Sequence, residues 1–195
     1  MKPILHITWE YPPFVVGALS NFLHKLIPKL AQKYPLILVI RGDFDEKYSS
    51  EGVTIYKVGP YARIAPHILS FAYMLSIDLT RGASNAIHDH GGVSLIHSHD
   101  WISSISALYL SHFFKSPLVI SVYSTEVKRA GSISTLLNMG IFDLEKKCFE
   151  KADIIIVENY DMRMHLVRDY EINNNKIFLA RNAEEIINVY RRMLQ

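Results

Sequence analysis

The amino-acid sequence predicts an α/β fold with a doubly wound, mainly parallel sheet. Short apolar runs bounded by turn residues alternate with longer segments of helical periodicity, which is typical of parallel strands joined by crossover helices. One run, Leu95–Ile96, leads directly into the polar sequence His97-Ser98-His99-Asp100-Trp101. Because the carboxyl ends of parallel strands face the ligand crevice, this stretch indicates a binding or catalytic site. His97 and His99 should share one face of the sheet, since side chains alternate along a strand.

The pattern predicts about seven strands, each a short apolar run rich in β-branched residues. In chain order they are Ile4–Thr8, Leu36–Ile40, Val53–Val58, the run from Leu95, Leu118–Val122, Asp153–Val157 and Lys176–Ala180. The polar segment Arg41–Gly52 is predicted to be a loop. Pro12 and Pro13 should take the chain out of the sheet after the first strand, because proline cannot donate a ladder hydrogen bond.

Apolar residues at helical spacing predict the helices between these strands. The helical segments are Leu19–Leu30, Pro66–His90, the segment after Trp101, Ser132–Ala152, Met162–Val167 and Ala183–Leu194. A chain of 195 residues is the right size for one α/β domain with a substantial core. We therefore expect a single domain over residues 1–195, with residues 183–195 as a closing helix.

Composition excludes several classes of function. The formal net charge is +2 with no basic run, so a nucleic-acid partner is not expected. The longest apolar segment, Ile64–Leu79, contains His67, Ser70 and Asp78 and is preceded by Arg63, so it falls short of the ~18 uninterrupted apolar residues of a membrane span. A start without a signal-like apolar core and a single cysteine together favour a cytoplasmic protein.

Three stretches resemble the amino-terminal domain of glycogen and starch synthases. They follow the first, fourth and fifth predicted strands and are Trp9-Glu10-Tyr11-Pro12-Pro13-Phe14-Val15-Val16-Gly17-Ala18-Leu19, Leu95-Ile96-His97-Ser98-His99-Asp100-Trp101 and Val122-Tyr123-Ser124-Thr125-Glu126. The resemblance covers nearly the whole chain and implies a Rossmann-like domain equivalent to the N-terminal half of a GT-B fold. It implies glucosyl transfer from ADP-glucose or UDP-glucose to an α-glucan or oligosaccharide, with no cofactor beyond the nucleotide sugar.

The same resemblance implies functional roles for eight residues. Asp100 and Tyr123 match positions at the reacting sugar and are the candidate catalytic residues. The implied substrate-binding residues are Glu10, Gly17, His99, Thr125, Glu126 and Arg129. Two positions depart from the family pattern: Tyr123 stands where glycogen synthases carry a histidine, and Ala18 stands where a second glycine follows the first.

Each motif also has a structural interpretation. Gly17 precedes a helix, where backbone amides favour a phosphate, but the glycine could instead only turn the chain. Glu10 could bind a sugar hydroxyl or be a solvated loop acid, and Arg129 could neutralise a phosphate or, as we favour, solvate the loop. For Trp101, burial is favoured over stacking on a sugar.

A metal site is the competing interpretation of the histidines. His97, His99 and Asp100 could act together with the stretch His88-Asp89-His90. Their spacing matches no metal-binding template, so no metal is expected.

The sequence after the last predicted strand determines which functions we expect. In the related synthases a donor-binding second domain follows this strand, whereas here Arg181-Asn182-Ala183 leads into the closing helix, so the donor-binding domain is expected to be absent. One hypothesis is that the chain contributes to glucosyl transfer with a separate donor-domain subunit or a second copy. A second is that it is a non-catalytic glucan-binding or regulatory relative, which Tyr123 and Ala18 favour. A third is metal-dependent hydrolysis at the histidines.

Overall fold

The computed structural model describes residues 1–60 and 64–194, and these residues form an eight-stranded sheet flanked by helices. The strands are β1 Ile4–Thr8, β2 Leu36–Arg41, β3 Glu46–Ser50, β4 Val53–Val58, β5 Leu95–His99, β6 Leu118–Val122, β7 Ile154–Val157 and β8 Ile177–Leu179. Their spatial order is β3-β4-β2-β1-β5-β6-β7-β8, and every neighbouring pair is parallel except β3 with β4. The predicted, mainly parallel sheet is confirmed.

Helices cover both faces of this sheet, as a doubly wound fold requires. They are α1 Ala18–Ala31, α2 Ile68–Asp89, α3 Asp100–Phe114, α4 Glu126–Ala130, α5 Leu136–Lys151, α6 Tyr160–Asp169 and α7 Ala183–Met193, with a 3₁₀ turn at Asn174–Lys176. One apolar core packs α1 and α7 on one face, and a second packs α2, α3, α5 and α6 on the other. The central strands are buried on both faces, and β7 and the first five residues of β2 are continuous apolar runs, as expected for such strands. Strands β1, β5 and β6 differ because they also carry buried polar side chains.

The prediction of a loop over Arg41–Gly52 is wrong in part, because Glu46–Ser50 forms β3. This strand pairs antiparallel with β4 at the sheet edge, and its side chains are mostly exposed. A solvated edge strand needs no apolar pattern, and charged residues there discourage pairing with other chains. The sheet therefore has eight strands rather than seven.

Two further elements differ from the prediction at the carboxyl half. The five-residue helix α4 was not predicted, since five residues are too few to show a helical period. The last strand is shorter than expected, because a 3₁₀ turn takes up Lys176. Arg63 and Gln195, which the sequence analysis placed before the long helix and at the end of the closing helix, lie outside the described residues.

Within the part of the chain that the structure describes, none of the helices has both the length and the apolar character needed to cross a membrane.

The topology creates a switch point beside β1. Strands β2, β3 and β4 all lie on one side of β1, with β4 between β2 and the edge strand β3, and the chain then returns to place β5 on the other side of β1. In open α/β sheets the loops after two such strands diverge and leave a crevice at their carboxyl ends. Here those are the Trp9–Gly17 loop after β1 and the start of α3 after β5.

Candidate functional site

Asp100 lies at the switch point, where β5 ends and α3 begins. It follows β5 without a loop, begins α3 and has a positive φ of 67°. Non-glycine residues rarely adopt this conformation, and aspartate is among those that tolerate it. Its Oδ1 accepts a hydrogen bond from the Trp101 amide at 2.8 Å. Oδ2 has no hydrogen-bond partner among the described residues and is available to a ligand.

The surroundings of Asp100 favour its protonated form. Burial raises its pKa to about 6, and the negative charges of Glu145 and Glu10 act in the same direction. The Trp101 amide and the Arg129 guanidinium oppose this shift. Asp100 therefore titrates near pH 6, and raised pKa values of this kind are common for buried acids at functional sites.

Arg129 holds a buried acidic cluster beside Asp100. Its guanidinium donates to Glu145 Oε1 at 2.6 Å and Glu126 Oε2 at 3.0 Å, and it lies 5.7 Å from the Trp101 ring centroid. The carboxylate of Glu145, which is fully buried, also accepts from the Glu126 amide and the Tyr170 hydroxyl. The favoured interpretation of Arg129 as a solvated loop residue is therefore wrong: the guanidinium balances charge at the crevice.

The Glu10 carboxylate binds the backbone amide groups that precede α1. Its Oε2 accepts hydrogen bonds from the backbone amides of Gly17 at 2.7 Å and Val16 at 3.1 Å. Only 4% of Glu10 is exposed, so it is not a solvated loop acid. The sequence predicted that a phosphate could bind at the start of α1. In the structure the Glu10 carboxylate lies there instead, and the positive end of the helix dipole favours this negative charge.

A histidine and tyrosine network lies on the opposite face of the sheet from the acidic cluster. His6 on β1 is paired in register with His97 on β5, and His6 Nδ1 lies 2.9 Å from His99 Nε2. His99 Nδ1 contacts the Tyr123 hydroxyl at 3.0 Å. Tyr190 of α7 closes the network, with its hydroxyl 2.5 Å from His97 Nδ1 and 3.3 Å from His6 Nε2.

This network is satisfied when all three imidazoles are neutral. His97 Nε2 makes the fifth contact, to the Ser121 hydroxyl at 2.8 Å. Each neutral imidazole supplies one N–H and each hydroxyl one O–H, so there is a donor for every contact. Burial lowers the pKa of His6 to about 3 and that of His97 and His99 well below the usual value.

The histidines that lie together in the structure differ from the candidate metal ligands named from the sequence. His88 and His90 are exposed at the amino edge of the sheet, and Asp89 there binds Lys47 and the Tyr56 hydroxyl. Within the described residues, His6 joins His97 and His99 instead, with one nitrogen of each inside 4.8 Å of the others. Their nitrogens already bond one another, two phenols and a hydroxyl, so hydrogen bonding accounts for this cluster.

The predicted site residues fall into three groups in space. Glu126 and Arg129 belong to the acidic cluster beside Asp100, Glu10 and Gly17 meet in front of α1, and His99 and Tyr123 belong to the buried network. Thr125 is the N-cap of α4, the helix that carries Glu126 and Arg129, and its fully buried side chain contacts His165 Nε2 at 2.7 Å.

Several residues that shape the site were not predicted to do so. Glu145 lies on α5, and its role depends on packing that no local pattern reveals. His6 interrupts an apolar strand, which was the one signal that it had a polar partner. The burial of Trp101, which is 5% exposed, is confirmed.

Comparison with known proteins identifies the family. A family model described as Glycosyltransferase Family 4 matches residues 19–183. An uncharacterized glycosyltransferase of Methanocaldococcus jannaschii is 30% identical over 157 residues, which cover 79% of this chain and 39% of that protein. Glycogen synthase of Mycobacterium tuberculosis is 26% identical over 200 residues, which cover 92% of this chain and 48% of the relative. The chain thus spans less than half the length of these curated relatives.

Solved structures show the same fold. Sucrose-phosphate synthase from Thermosynechococcus elongatus superposes with a TM-score of 0.75 at 18% identity, covering 92% of this chain and 47% of that one. Anabaena HepE in complex with UDP and glucose gives 0.62 at 10% identity, covering 93% and 45%. The sheet described above is therefore the Rossmann-like half of a GT-B fold, and the chain belongs to Glycosyltransferase Family 4.

Proposed function

We propose that the chain supplies the acceptor-binding half of a glycosyltransferase that transfers glucose from a nucleotide sugar to an α-glucan or oligosaccharide. The observation that carries this proposal is Asp100, which the switch point places at the crevice with one carboxylate oxygen unpaired among the described residues. Family membership and the glycogen synthase relative support the reaction class. A solved structure of the same fold holds UDP and glucose, which supports a nucleotide sugar as co-substrate.

The chemistry of Asp100 suits a sugar ligand. A carboxylate accepts hydrogen bonds from two neighbouring hydroxyls, and a carboxyl group in its protonated form can also donate one. Arg129 stands beside it with its charge balanced by Glu126 and Glu145. We assign Asp100 to orienting the acceptor and Arg129 to holding the loop that forms the crevice wall.

Transfer also requires a donor-binding domain. Bringing two substrates together in a closed site supplies much of the rate enhancement in such reactions. We propose that this domain faces the carboxyl edge of the sheet, whether it belongs to the same polypeptide, a separate subunit or a second copy.

The second candidate function is binding of a glucan without catalysis. The observation that favours it is the Tyr123 hydroxyl, which contacts His99 within the buried network. Burial raises the pKa of Tyr123, so its phenol stays neutral and cannot replace an imidazole as a group that changes charge near neutral pH.

The test is release of nucleoside diphosphate from ADP-glucose and UDP-glucose, with and without a malto-oligosaccharide, by the chain and by Asp100→Asn, each alone and mixed with the donor-binding half of a Glycosyltransferase Family 4 relative. Acceptor-dependent release that falls at least tenfold in Asp100→Asn supports the transferase. Asp143→Asn, at an exposed position of α5, is the matched control and should release diphosphate at the parent rate. Saturable binding of malto-oligosaccharide with no release from either donor would favour the second candidate, and neither binding nor release would contradict both.

A further inference from the structure

A cavity opens at the carboxyl ends of β2 and β4, beside the loop that follows β1. Its volume is about 250 Å³, and its walls include Phe14, Arg41, Asp43, Phe71, Met74 and Asp78. Phe14 belongs to the same loop after β1 as Glu10, and Phe71 packs against Trp9 of that loop, with ring centroids 6.3 Å apart. The cavity therefore adjoins the proposed acceptor site.

Arg41 is the unusual group in this cavity. As the last residue of β2, its guanidinium lies 5.0 Å from the Phe14 ring centroid and 5.7 Å from that of Phe71. Within residues 1–60 and 64–194 it donates no hydrogen bond and has no carboxylate at ion-pair distance. Burial lowers the pKa of Arg41, yet arginine stays cationic in proteins. The negative charges of Asp43 and Glu10 act on Arg41 and oppose this shift. Two aromatic rings thus hold a partly desolvated cation that forms no hydrogen bond or ion pair in the described chain.

The other residues of the cavity wall indicate what kind of ligand would pair with Arg41. The aromatic rings suit the C–H face of a sugar or a similar ring. Asp43 has no hydrogen-bond partner in the described chain and can accept from hydroxyl groups, whereas Asp78 is already within 3.7 Å of Arg81. A guanidinium recognises phosphate and carboxylate through two parallel hydrogen bonds.

We propose that this cavity binds an anionic substituent, phosphate or carboxylate, carried by the acceptor sugar, with Arg41 as its cationic partner. This inference rests on the proposed function for the identity of the ligand as an acceptor. It narrows that function: a neutral glucan would use the crevice without filling the cavity, whereas a charged sugar would use both.

Calorimetric titration of the chain with glucose 1-phosphate, glucose 6-phosphate, glucuronate and glucose tests the proposal. At least one charged sugar should bind about tenfold or more tightly than glucose, because charge-assisted hydrogen bonds are of that strength. The two phosphates and the carboxylate distinguish the source of the anion. If no charged sugar binds more tightly than glucose, the proposal is wrong.

Variants show whether Arg41 is responsible. Arg41→Gln should lose about tenfold or more in affinity for the charged sugar and bind malto-oligosaccharide as the parent does, and Arg41→Lys should recover part of the loss. Arg192→Gln is the matched control, since Arg192 also stacks on a phenyl ring, 5.5 Å from the centroid of Phe178, but lies on α7. Equal losses in Arg41→Gln and Arg192→Gln would overturn the proposal.

These titrations separate the cavity from the reaction. Binding that depends on Arg41, without diphosphate release even when a donor-binding domain is added, would support the anion site and exclude the transferase. Diphosphate release that is changed neither by charged sugars nor by Arg41→Gln would support the transferase and exclude the anion site.

Discussion

At the scale of single residues, Asp100 combines features that cost stability with a carboxylate oxygen that a ligand can bind. Its backbone adopts a positive φ, burial raises its pKa, and only one of its two carboxylate oxygens has a partner in the described chain. Unfavourable backbone conformations and perturbed pKa values are common at residues that bind a ligand rather than stabilise the fold. The nearby Glu10 differs, because both of its contacts with backbone amides stabilise the start of α1.

Asp100→Asn should stabilise the chain, and more so at higher pH. Because the folded-state pKa of about 6 lies above the ordinary value, ionisation of Asp100 costs stability as pH rises through this range. Asparagine keeps the oxygen that accepts from the Trp101 amide and tolerates a positive φ. The difference between variant and parent in free energy of unfolding should grow by roughly 2 kcal/mol between pH 4.5 and pH 8.

Urea unfolding at both pH values measures this difference, with Asp143→Asn, the same substitution at an exposed position of α5, as the control. A difference for Asp100→Asn that is the same at pH 4.5 and pH 8 would show that the Asp100 carboxyl is not perturbed by burial.

At the scale of elements, α7 packs on the sheet through apolar side chains and a buried hydroxyl, that of Tyr190. Ile186, Ile187 and Val189 pack in the core beside α1, while the Tyr190 hydroxyl reaches the histidines of β1 and β5. This side chain therefore links the end of the chain to the two central strands at the switch point. A buried polar network of this kind stabilises only when every member has its partner.

Tyr190→Phe should destabilise the chain by about 1–3 kcal/mol, because His97 Nδ1 and His6 Nε2 would both lose a buried partner while the aromatic ring stays. Tyr109→Phe, at a residue that is 60% exposed on α3, should change stability little. Denaturant unfolding of both variants makes the comparison. A Tyr190→Phe variant as stable as Tyr109→Phe would mean that the hydroxyl contributes nothing to the docking of α7.

The sequence predicted the elements that repeat a local pattern and missed those that depend on distant partners. The buried strands and long helices follow from their apolar periodicity, and Asp100 was located because it follows an apolar strand. Strand β3 was missed because a solvated edge strand carries no such period. The pairing of Arg129 with Glu145 joins residues 16 apart across two helices, and the facing of His6 with His97 follows from strand register, which a single sequence does not specify.

At the scale of the whole molecule, the strand order determines where a ligand meets the chain. The reversal between β1 and β5 brings the Glu10 loop, the start of α3 and the residues after β6 to one edge of the sheet. The cavity at Arg41 extends that edge towards β4. The buried histidine network lies beneath the edge and holds β1, β5, β6 and α7 together.

The central claim is that carbohydrate binds at this carboxyl edge, and mapping backbone amide shifts by NMR during titration with maltohexaose tests it most directly. We predict that the shifts concentrate in residues 10–17, 100–101 and 124–129, and that they weaken in Asp100→Asn. Shifts confined to the amino edge, at residues 88–92 and 115–117, or no shifts at any site, would contradict the account.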